Sequence, residues 1–370
     1  MIIGLPKEIK NNEYRVGLLP VHCEALRESG HTVLAERKAG EGSGAFDADY
    51  RAAGARIIES PREIYRRAGM IVKVKEPQPS EIRWLRPRQI VFAYFHFAAD
   101  RPLFDAIIRS QIVAITYETI QLPDGSLPLL TPMSEIAGRM AVHEGAKYLE
   151  EPMKGRGLLL AGVPGVAPAK VVILGGGVVG ANAAKMAAGL GADVAILDID
   201  LNRLRYLDDV MPRNVKTLMS NAHNIREHVS EADLLIGAVL RPGSRAPTLV
   251  SRKLVRQMKR GAVIVDVAID QGGCIETSRP TTHDKPTYLI DGVVHYCVTN
   301  MPGAVARTST AALTNATFPY VLEIATKGFR RAAKENPAVA AGFNIVDGQV
   351  VYRNLASLYG IPLTELTDIL

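Results

Sequence analysis

Several polar residues in this chain stand at the ends of short apolar runs, where a side chain stops packing and can begin to react. Arg15 follows the loop Asn11-Asn12-Glu13 and can grip a carboxylate through two parallel hydrogen bonds. Lys75 closes the run 70–75, just before Glu76-Pro77, and shares a face with Lys73 by the two-residue period of a strand. A lysine so placed can bind a carboxylate or a carbonyl oxygen. His96 ends the run Ile90-Val91-Phe92-Ala93-Tyr94-Phe95-His96, where an imidazole can act as general acid or base. Asp270 ends the run 263–270 ahead of Gly272 and Gly273, and can activate water or hold a histidine in orientation. Asp266, four residues earlier, reads as a structural hydrogen-bond acceptor. Each also has a plain reading: a solvated arginine, a solvated lysine, or a core histidine bonded to a backbone carbonyl.

A hydride acceptor would give this set a purpose, and the sequence predicts a place for one. Residues 171–174 form an apolar run that feeds into Gly175-x-Gly177-x-x-Gly180, then a helical stretch 178–190, then a second apolar run ending on Asp198. This is the order of a βαβ unit that binds a dinucleotide. Gly175 allows the tight turn, Gly177 lets the backbone approach a pyrophosphate, and Gly180 lets helix and strand pack closely. The pyrophosphate is then held by the free N–H groups and the dipole of the helix N-terminus. Asp198 is placed to accept from a ribose hydroxyl, and its charge repels a 2′-phosphate, so NAD is favoured over NADP. Arg203 and Arg205 lie just beyond and could receive that phosphate. Dehydrogenation needs a hydride acceptor, a proton acceptor and an anion clamp, and all three have candidates.

The elements that must position these residues alternate in type. Apolar runs at 1–5, 32–35, 70–75, 90–97 and 112–117 read as strands, with helices at 21–29, 48–53, 62–68 and 101–109 between them. This pattern predicts a parallel sheet with helices on both faces. A Pro, Asp and Gly-rich loop at 122–132 ends the region, and Thr131-Pro132 reads as an N-cap with proline at the first helical position of a helix to 149. Beyond the fingerprint, strands at 215–219, 234–239, 262–269 and 295–298 complete a six-stranded doubly wound sheet. A capped helix from 308 or 309 to 327 leads out, and residues 332–370 are too short to fold alone. The fold class is therefore α/β, with two doubly wound parallel-sheet domains. Open sheets of this kind bind ligands beyond the carboxyl ends of their strands, which predicts a cleft between the two domains.

Composition excludes other classes. The 370 residues carry a formal charge of +6 with no basic tail and no basic run interleaved with aromatics, so nucleic acid is a poor partner. A basic balance suits small anionic ligands. Three cysteines, Cys23, Cys274 and Cys297, fit neither a disulfide framework nor a zinc site, so no metal is expected and a reducing cytoplasm is the simplest home. The first residues, MIIGLPKEIK, hold no secretory signal, and no stretch reads as a membrane span.

At this point the chain resembles a known family. PKEIKNNEYRV, VKVKEP, PLLTPMSEIAGRMA, GVPGV, ILGGGVVG, AIDQGGC and NMPGAV followed by TSTAALTNAT are similar to bacterial alanine dehydrogenases, over nearly the whole chain. The resemblance implies NAD-dependent oxidative deamination of L-alanine to pyruvate and ammonium, reversible as reductive amination. It implies a substrate domain made of residues 1–128 with 306–370, and a Rossmann dinucleotide-binding domain, 129–305, inserted between them. It also implies a homohexamer. Arg15 then matches the carboxylate-binding arginine, Lys75 the lysine on the substrate oxygen, and His96 and Asp270 the catalytic pair. For the cofactor, Ser134, Val178, Val179, Asp198, Arg203, Ser220, Val239, Leu240 and Arg279 sit at matching places. So do Val267, Ala268, Ile269 and Asp270, and Val298, Thr299, Asn300 and Met301. Ala306 stands where the family commonly has proline, which predicts a looser entry to the last long helix. Three other readings share the pattern: the NAD(H)-binding subunit of a proton-translocating transhydrogenase, a saccharopine- or lysine-type dehydrogenase, and an NAD sensor without turnover.

Overall fold

The computed structural model describes residues 1–239 and 246–370. The chain divides into two compact units, one of Met1–Met133 with Gly303–Leu370 and one of Ser134–Pro302.

The first unit is built on eight strands: β1 (Ile2–Leu5), β2 (Thr32–Glu36), β3 (Arg56–Ile58), β4 (Met70–Val72), β5 (Ile90–Ala93) and β6 (Val113–Thr116). The second unit holds β7 (Lys170–Leu174), β8 (Asp193–Asp198), β9 (Val215–Met219), β10 (Leu234–Gly237), β11 (Val263–Asp266), β12 (Thr287–Ile290) and β13 (Val293–Tyr296). The chain then returns to the first unit for β14 (Phe343–Val346) and β15 (Gln349–Val350).

The first sheet runs β15-β14-β6-β5-β4-β1-β2-β3, parallel from β1 to β6, with β14 antiparallel to β6 and β15 antiparallel to β14. Every residue of β4, β5 and β6 is buried, as parallel strands covered by helices on both faces must be. Ile64 and Tyr65 of the helix Pro61–Arg67, with Phe104 and Ile107 of Arg101–Ser110, pack with Ile71, Val91 and Ala114 into one core. Strand order reverses between β1 and β4, which makes that pair the switch point of the sheet. The C-terminal tail docks by supplying β14 and β15.

The second sheet runs β12-β13-β11-β10-β7-β8-β9, parallel except for β12. Its switch point lies between β7 and β10, where the glycine fingerprint begins. The sheet has seven strands rather than the expected six, because Thr287–Ile290 adds an antiparallel edge.

Several expected strands stop short of their apolar runs: 112–117 ends at Thr116, 234–239 at Gly237 and 295–298 at Tyr296. The run 70–75 is a strand only to Val72, 90–97 only to Ala93, and 262–269 only to Asp266, after which Val267–Gln271 forms a 3-10 turn. Hydrophobicity outlasts the regular ladder, although Lys73 N–H to the Phe92 carbonyl and Tyr94 N–H to the Val74 carbonyl carry the pairing of β4 and β5 slightly beyond it. The exit helix begins at Ala306 rather than 308, so alanine there opens the helix instead of loosening it.

Candidate active site

Four adjacent strands of the first unit end at one edge, and each delivers an ionisable residue there. After β1 come Glu8, Glu13 and Arg15; after β4, Lys73 and Lys75; after β5, His96; after β6, Glu118. Arg15 is 2% exposed and turns its fork onto Glu13, with Nε donating to Oε1 at 2.6 Å and one terminal nitrogen to Oε2 at 2.5 Å. Its other terminal nitrogen donates to the sulfur of Met133 at 3.0 Å. Burial would raise the Glu13 carboxyl, but the hydrogen bonds and charge of Arg15, helped by Lys75, hold it down at about 2. Met133 gives Arg15 only a weak acceptor, so a ligand carboxylate can take that place.

Lys75 stands two residues beyond a buried ion network. Lys73, fully buried, bridges Glu8 at 3.1 Å and Glu81 at 3.0 Å, and the Tyr65 hydroxyl donates to Glu81 at 2.8 Å. Glu8 also accepts from the backbone N–H of Val74 at 2.7 Å and of Lys75 at 3.4 Å. The backbone that carries Lys75 is thus fixed by a carboxylate from another strand.

His96 is held in the same manner. Its N–H donates to Glu118 Oε1 at 2.6 Å, and the preceding N–H of Phe95 donates to the same oxygen at 3.0 Å. Its backbone has φ 52° and ψ 37°, in the left-handed region, where a residue with a Cβ is strained by about 1–2 kcal/mol. The imidazole stacks on Tyr94 with centroids 5.8 Å apart, and the Tyr94 hydroxyl is tied to the carbonyl of Leu129. Surrounding protein pushes the imidazole well below its ordinary pKa, and the charges of Lys75, Lys10 and Arg15 push the same way. His96 is therefore neutral near pH 7, as a proton acceptor must be. Arg15, Lys75 and His96 accordingly share one electrostatic neighbourhood within the first unit.

In the second unit the glycine loop has the stereochemistry its sequence requires. Gly175 has φ 101°, and a Cβ there would lie 2.7 Å from the Ala238 carbonyl of the strand across the switch point. A Cβ on Gly180 would lie 1.8 Å from the Gly175 carbonyl, so helix Val178–Gly189 packs onto β7 only with glycine. A Cβ on Gly177 would meet no protein atom within 4 Å. The protein's own packing does not demand that glycine; a phosphate approaching the backbone would. Asp198 accepts from Gly176 N–H at 2.6 Å and from Asp200 N–H at 2.8 Å, which aims it at the loop. Arg203 Nε donates to the Gly176 carbonyl and its guanidinium lies 4.9 Å from the Tyr206 ring. These residues fit a dinucleotide.

The remaining expected positions also lie beyond strand ends of the second sheet. Ser220 follows β9 and donates its N–H to the Asp198 carbonyl at 2.8 Å. Val239 follows β10, and Leu240 lies outside the described residues. Ser134 stands one turn before Gly138 on the helix Thr131–Tyr148; a Cβ on Gly138 would be 2.2 Å from the Val179 carbonyl, so this helix runs against the fingerprint helix. Arg279 donates its N–H to the Tyr288 hydroxyl at 2.7 Å and its guanidinium lies 4.3 Å from that ring. Val298 pairs with Thr281, Thr299 donates its N–H to the Thr281 carbonyl, Asn300 has φ 62°, and Met301 is buried. Asp270 sits in the 3-10 turn with Val267, Ala268 and Ile269, not at a strand end as expected. Asp266, the last residue of β11, caps that turn through Ala268 N–H at 3.1 Å and also accepts from Cys274 N–H at 3.1 Å. It has the structural role expected of it.

Glu8, Glu13 and Glu118 were missed from the sequence as residues of the site. A glutamate near a strand end looks solvated until its partner is known; only Glu13, two residues before Arg15, carried a signal in its position, while Glu8 and Glu118 come to the site from distant sequence. Among the described residues no cluster of three or more His, Cys, Asp or Glu could hold a metal, and no helix is long and apolar enough to cross a membrane.

Two family models match the chain: alanine dehydrogenase/PNT, N-terminal domain, over residues 4–137, and alanine dehydrogenase/PNT, C-terminal domain, over residues 141–353. The chain belongs to this family. A relative named alanine dehydrogenase, from Methanococcus maripaludis, is 56% identical and covers 98% of each chain. A solved L-alanine dehydrogenase is 53% identical, with a TM-score of 0.94 over 97% of this chain and 99% of its own. A transhydrogenase from Sinorhizobium meliloti shares the family fold at a TM-score of 0.82, with 25% identity over 95% of this chain and 100% of its own.

Proposed function

We propose that this chain is an NAD-dependent alanine dehydrogenase, converting L-alanine to pyruvate and ammonium and running in reverse as a reductive amination. Supporting this reading is the shared neighbourhood of Arg15, Lys75 and His96 beyond adjacent strand ends, in a chain whose second unit carries a dinucleotide cradle. The identity to relatives named for that reaction supports it as well. The first unit, with the C-terminal tail, takes the amino acid; the inserted unit takes the coenzyme.

NAD, when bound, supplies the hydride acceptor. Arg15 takes the substrate carboxylate in exchange for its contact with the Met133 sulfur, while Glu13 keeps the guanidinium in place. Lys75 binds the substrate oxygen and stabilises charge on it. His96, exposed at its edge but neutral because the surrounding protein and three cations disfavour its charged form, accepts the proton from the water that adds to the substrate imine and returns it when the carbinolamine breaks down to pyruvate and ammonium. Asp270 orients that water or the amine nitrogen and favours the developing cation. Gly175, Gly177, Val178, Val179 and Gly180 hold the pyrophosphate, Asp198 the ribose, and Ser134, Arg203, Ser220, Val239, Leu240, Val267, Ala268, Ile269, Arg279, Val298, Thr299, Asn300 and Met301 complete the coenzyme site. The protein works as a homohexamer in the cytoplasm, so light scattering should give six times the 40.0 kDa of one chain.

The deciding experiment follows NADH absorbance in both directions, with alanine plus NAD and with pyruvate, ammonium and NADH. Appearance of NADH that requires alanine is expected, and its absence refutes the reading. Hydride exchange between nicotinamide nucleotides without an amino acid would favour the transhydrogenase reading instead. His96→Ala should cut turnover by at least about 100-fold while NADH affinity holds. Near-normal turnover in that variant would remove His96 from the role.

A further inference from the structure

We infer that Glu118 is the positioning residue of His96, anchoring the peptide from which the imidazole projects toward the substrate; this rests on the function proposed above. The ladder between β4 and β5 continues just past the strands, with Tyr94 N–H donating to the Val74 carbonyl at 3.1 Å. The next two N–H groups, of Phe95 and His96, both turn onto Glu118 Oε1, at 3.0 and 2.6 Å. Glu118 comes from the short turn Tyr117–Thr119 after β6, on the neighbouring strand, and it is the only acceptor shared by these two N–H groups among the described residues.

The geometry makes Glu118 more than a convenient acceptor. At φ 52° His96 occupies a region that a residue with a Cβ leaves unless something holds it. Two consecutive N–H groups held on one carboxylate fix the peptide plane between Phe95 and His96, and with it the place of the His96 Cα from which the ring projects. Were His96 to relax to negative φ, its Cα–Cβ bond would swing away and carry the ring off Tyr94, whose face it stacks on at 5.8 Å. A misplacement of about an ångström at a reacting group can cost 100-fold in rate. Glu118 touches no reacting atom in this account and acts through His96 alone.

Oε1 accepts both short bonds, and Oε2 takes only a long one of 3.4 Å from Phe95 N–H, so substitution can largely separate geometry from charge. Glu118→Gln keeps a carbonyl oxygen where Oε1 lies, so it preserves both bonds and removes the charge. Glu118→Asp keeps the charge and withdraws the carboxylate by one methylene, which breaks them. Positioning predicts turnover within about threefold of the parent for Glu118→Gln and a fall of roughly 10- to 100-fold for Glu118→Asp, with KM for NADH unchanged in both. In a His96→Ala background Glu118→Asp should cause no further loss. Equal losses in both variants, the reverse order, or an undiminished loss without His96 would overturn the assignment. A readout independent of turnover is the amide proton shift of Phe95 and His96 by NMR, which should persist in Glu118→Gln and collapse in Glu118→Asp. If the parent fails to oxidise alanine, the proposed function falls, while the amide shifts still decide whether Glu118 sets the backbone of His96.

Discussion

Gly177 and Gly180 offer a test that separates folding from coenzyme binding. A Cβ at 177 meets nothing within 4 Å, and its φ of −64° and ψ of −162° suit alanine. Alanine is a poorer N-cap than glycine by roughly 0.5–1 kcal/mol, but it restricts the unfolded chain, which returns about 0.4–1 kcal/mol. The two nearly cancel, so Gly177→Ala should melt within a few degrees of the parent. The added methyl nevertheless stands where the pyrophosphate must approach the helix N-terminus. Losing one charge-assisted hydrogen bond, at about 1.5–3 kcal/mol, weakens NADH by roughly 10- to 150-fold. At 180 the new Cβ would lie 1.8 Å from a backbone carbonyl that no rotamer change can move. Overpacking of that kind costs roughly 1–3 kcal/mol, so Gly180→Ala should lose both melting temperature and NADH. Fluorescence titration of NADH beside calorimetric melting checks both variants. If Gly177→Ala binds NADH as tightly as the parent, the fingerprint does not cradle a phosphate and the coenzyme site is wrong.

Lys73→Met leaves Glu8 and Glu81 buried without their cation and should cost about 3–5 kcal/mol in urea unfolding; adding Glu81→Gln should recover part of it, and a fully stable single variant would refute the ion network. Arg15→Lys keeps a charge but loses the two-pronged hold on Glu13, so KM for pyruvate should rise well above its parent value while KM for NADH stays put; unchanged pyruvate kinetics would exclude Arg15 as the clamp. Glu13 is held at about 2 when folded against 4.5 for the free group, so it contributes stability above pH 4.5 that disappears as pH falls from there toward 2. The full contribution is about 3 kcal/mol, and a Glu13→Gln variant should show a flatter loss of stability over that window; the same slope in parent and variant would refute the pairing.

Much of this molecule was legible in the sequence because its signals are local. The fingerprint glycines fix strand, turn and helix within a few residues, and the buried parallel strands announce themselves as unbroken Val and Ile. The edge strands were not legible. Thr287–Ile290 and Arg56–Ile58 are short and only partly buried, and they become strands through pairing with neighbours that composition does not reveal. The tail could be read as too small to fold alone, yet only pairing of Phe343–Val346 with β6 says where it goes. Strand ends were overestimated for a related reason: apolar residues such as Phe95 remain buried after the ladder stops. Arg15, Lys75, His96 and Asp270 were legible as reactive types near strand ends, whereas the left-handed backbone of His96 had no sequence signal, and the carboxylate that accepts from its N–H comes from beyond the next strand.

The carboxylates behind the site follow from how an open parallel sheet ends. Where a strand leaves its ladder, N–H groups lose their partners and must find acceptors or remain buried and unpaired, at a cost of about 1–3 kcal/mol each. A carboxylate near the end of a strand can take two such groups at once. Glu8 does so for Val74 and Lys75, Glu118 for Phe95 and His96, Asp266 for Ala268 and Cys274, and Asp198 for Gly176 and Asp200. Each of the four lies within three residues of its own strand's end, after β1, after β6, and as the last residue of β11 and β8. The same positions are where ligands bind, so the acceptor that completes the fold also fixes the backbone from which a reactive side chain projects. Glu8 adds a second effect, because its charge, with that of Glu81, keeps Lys73 protonated despite complete burial. Folding and reactivity are therefore coupled through these acids. Replacing one by an isosteric amide should spare the fold more than the chemistry where charge matters, and spare both where only the oxygen does.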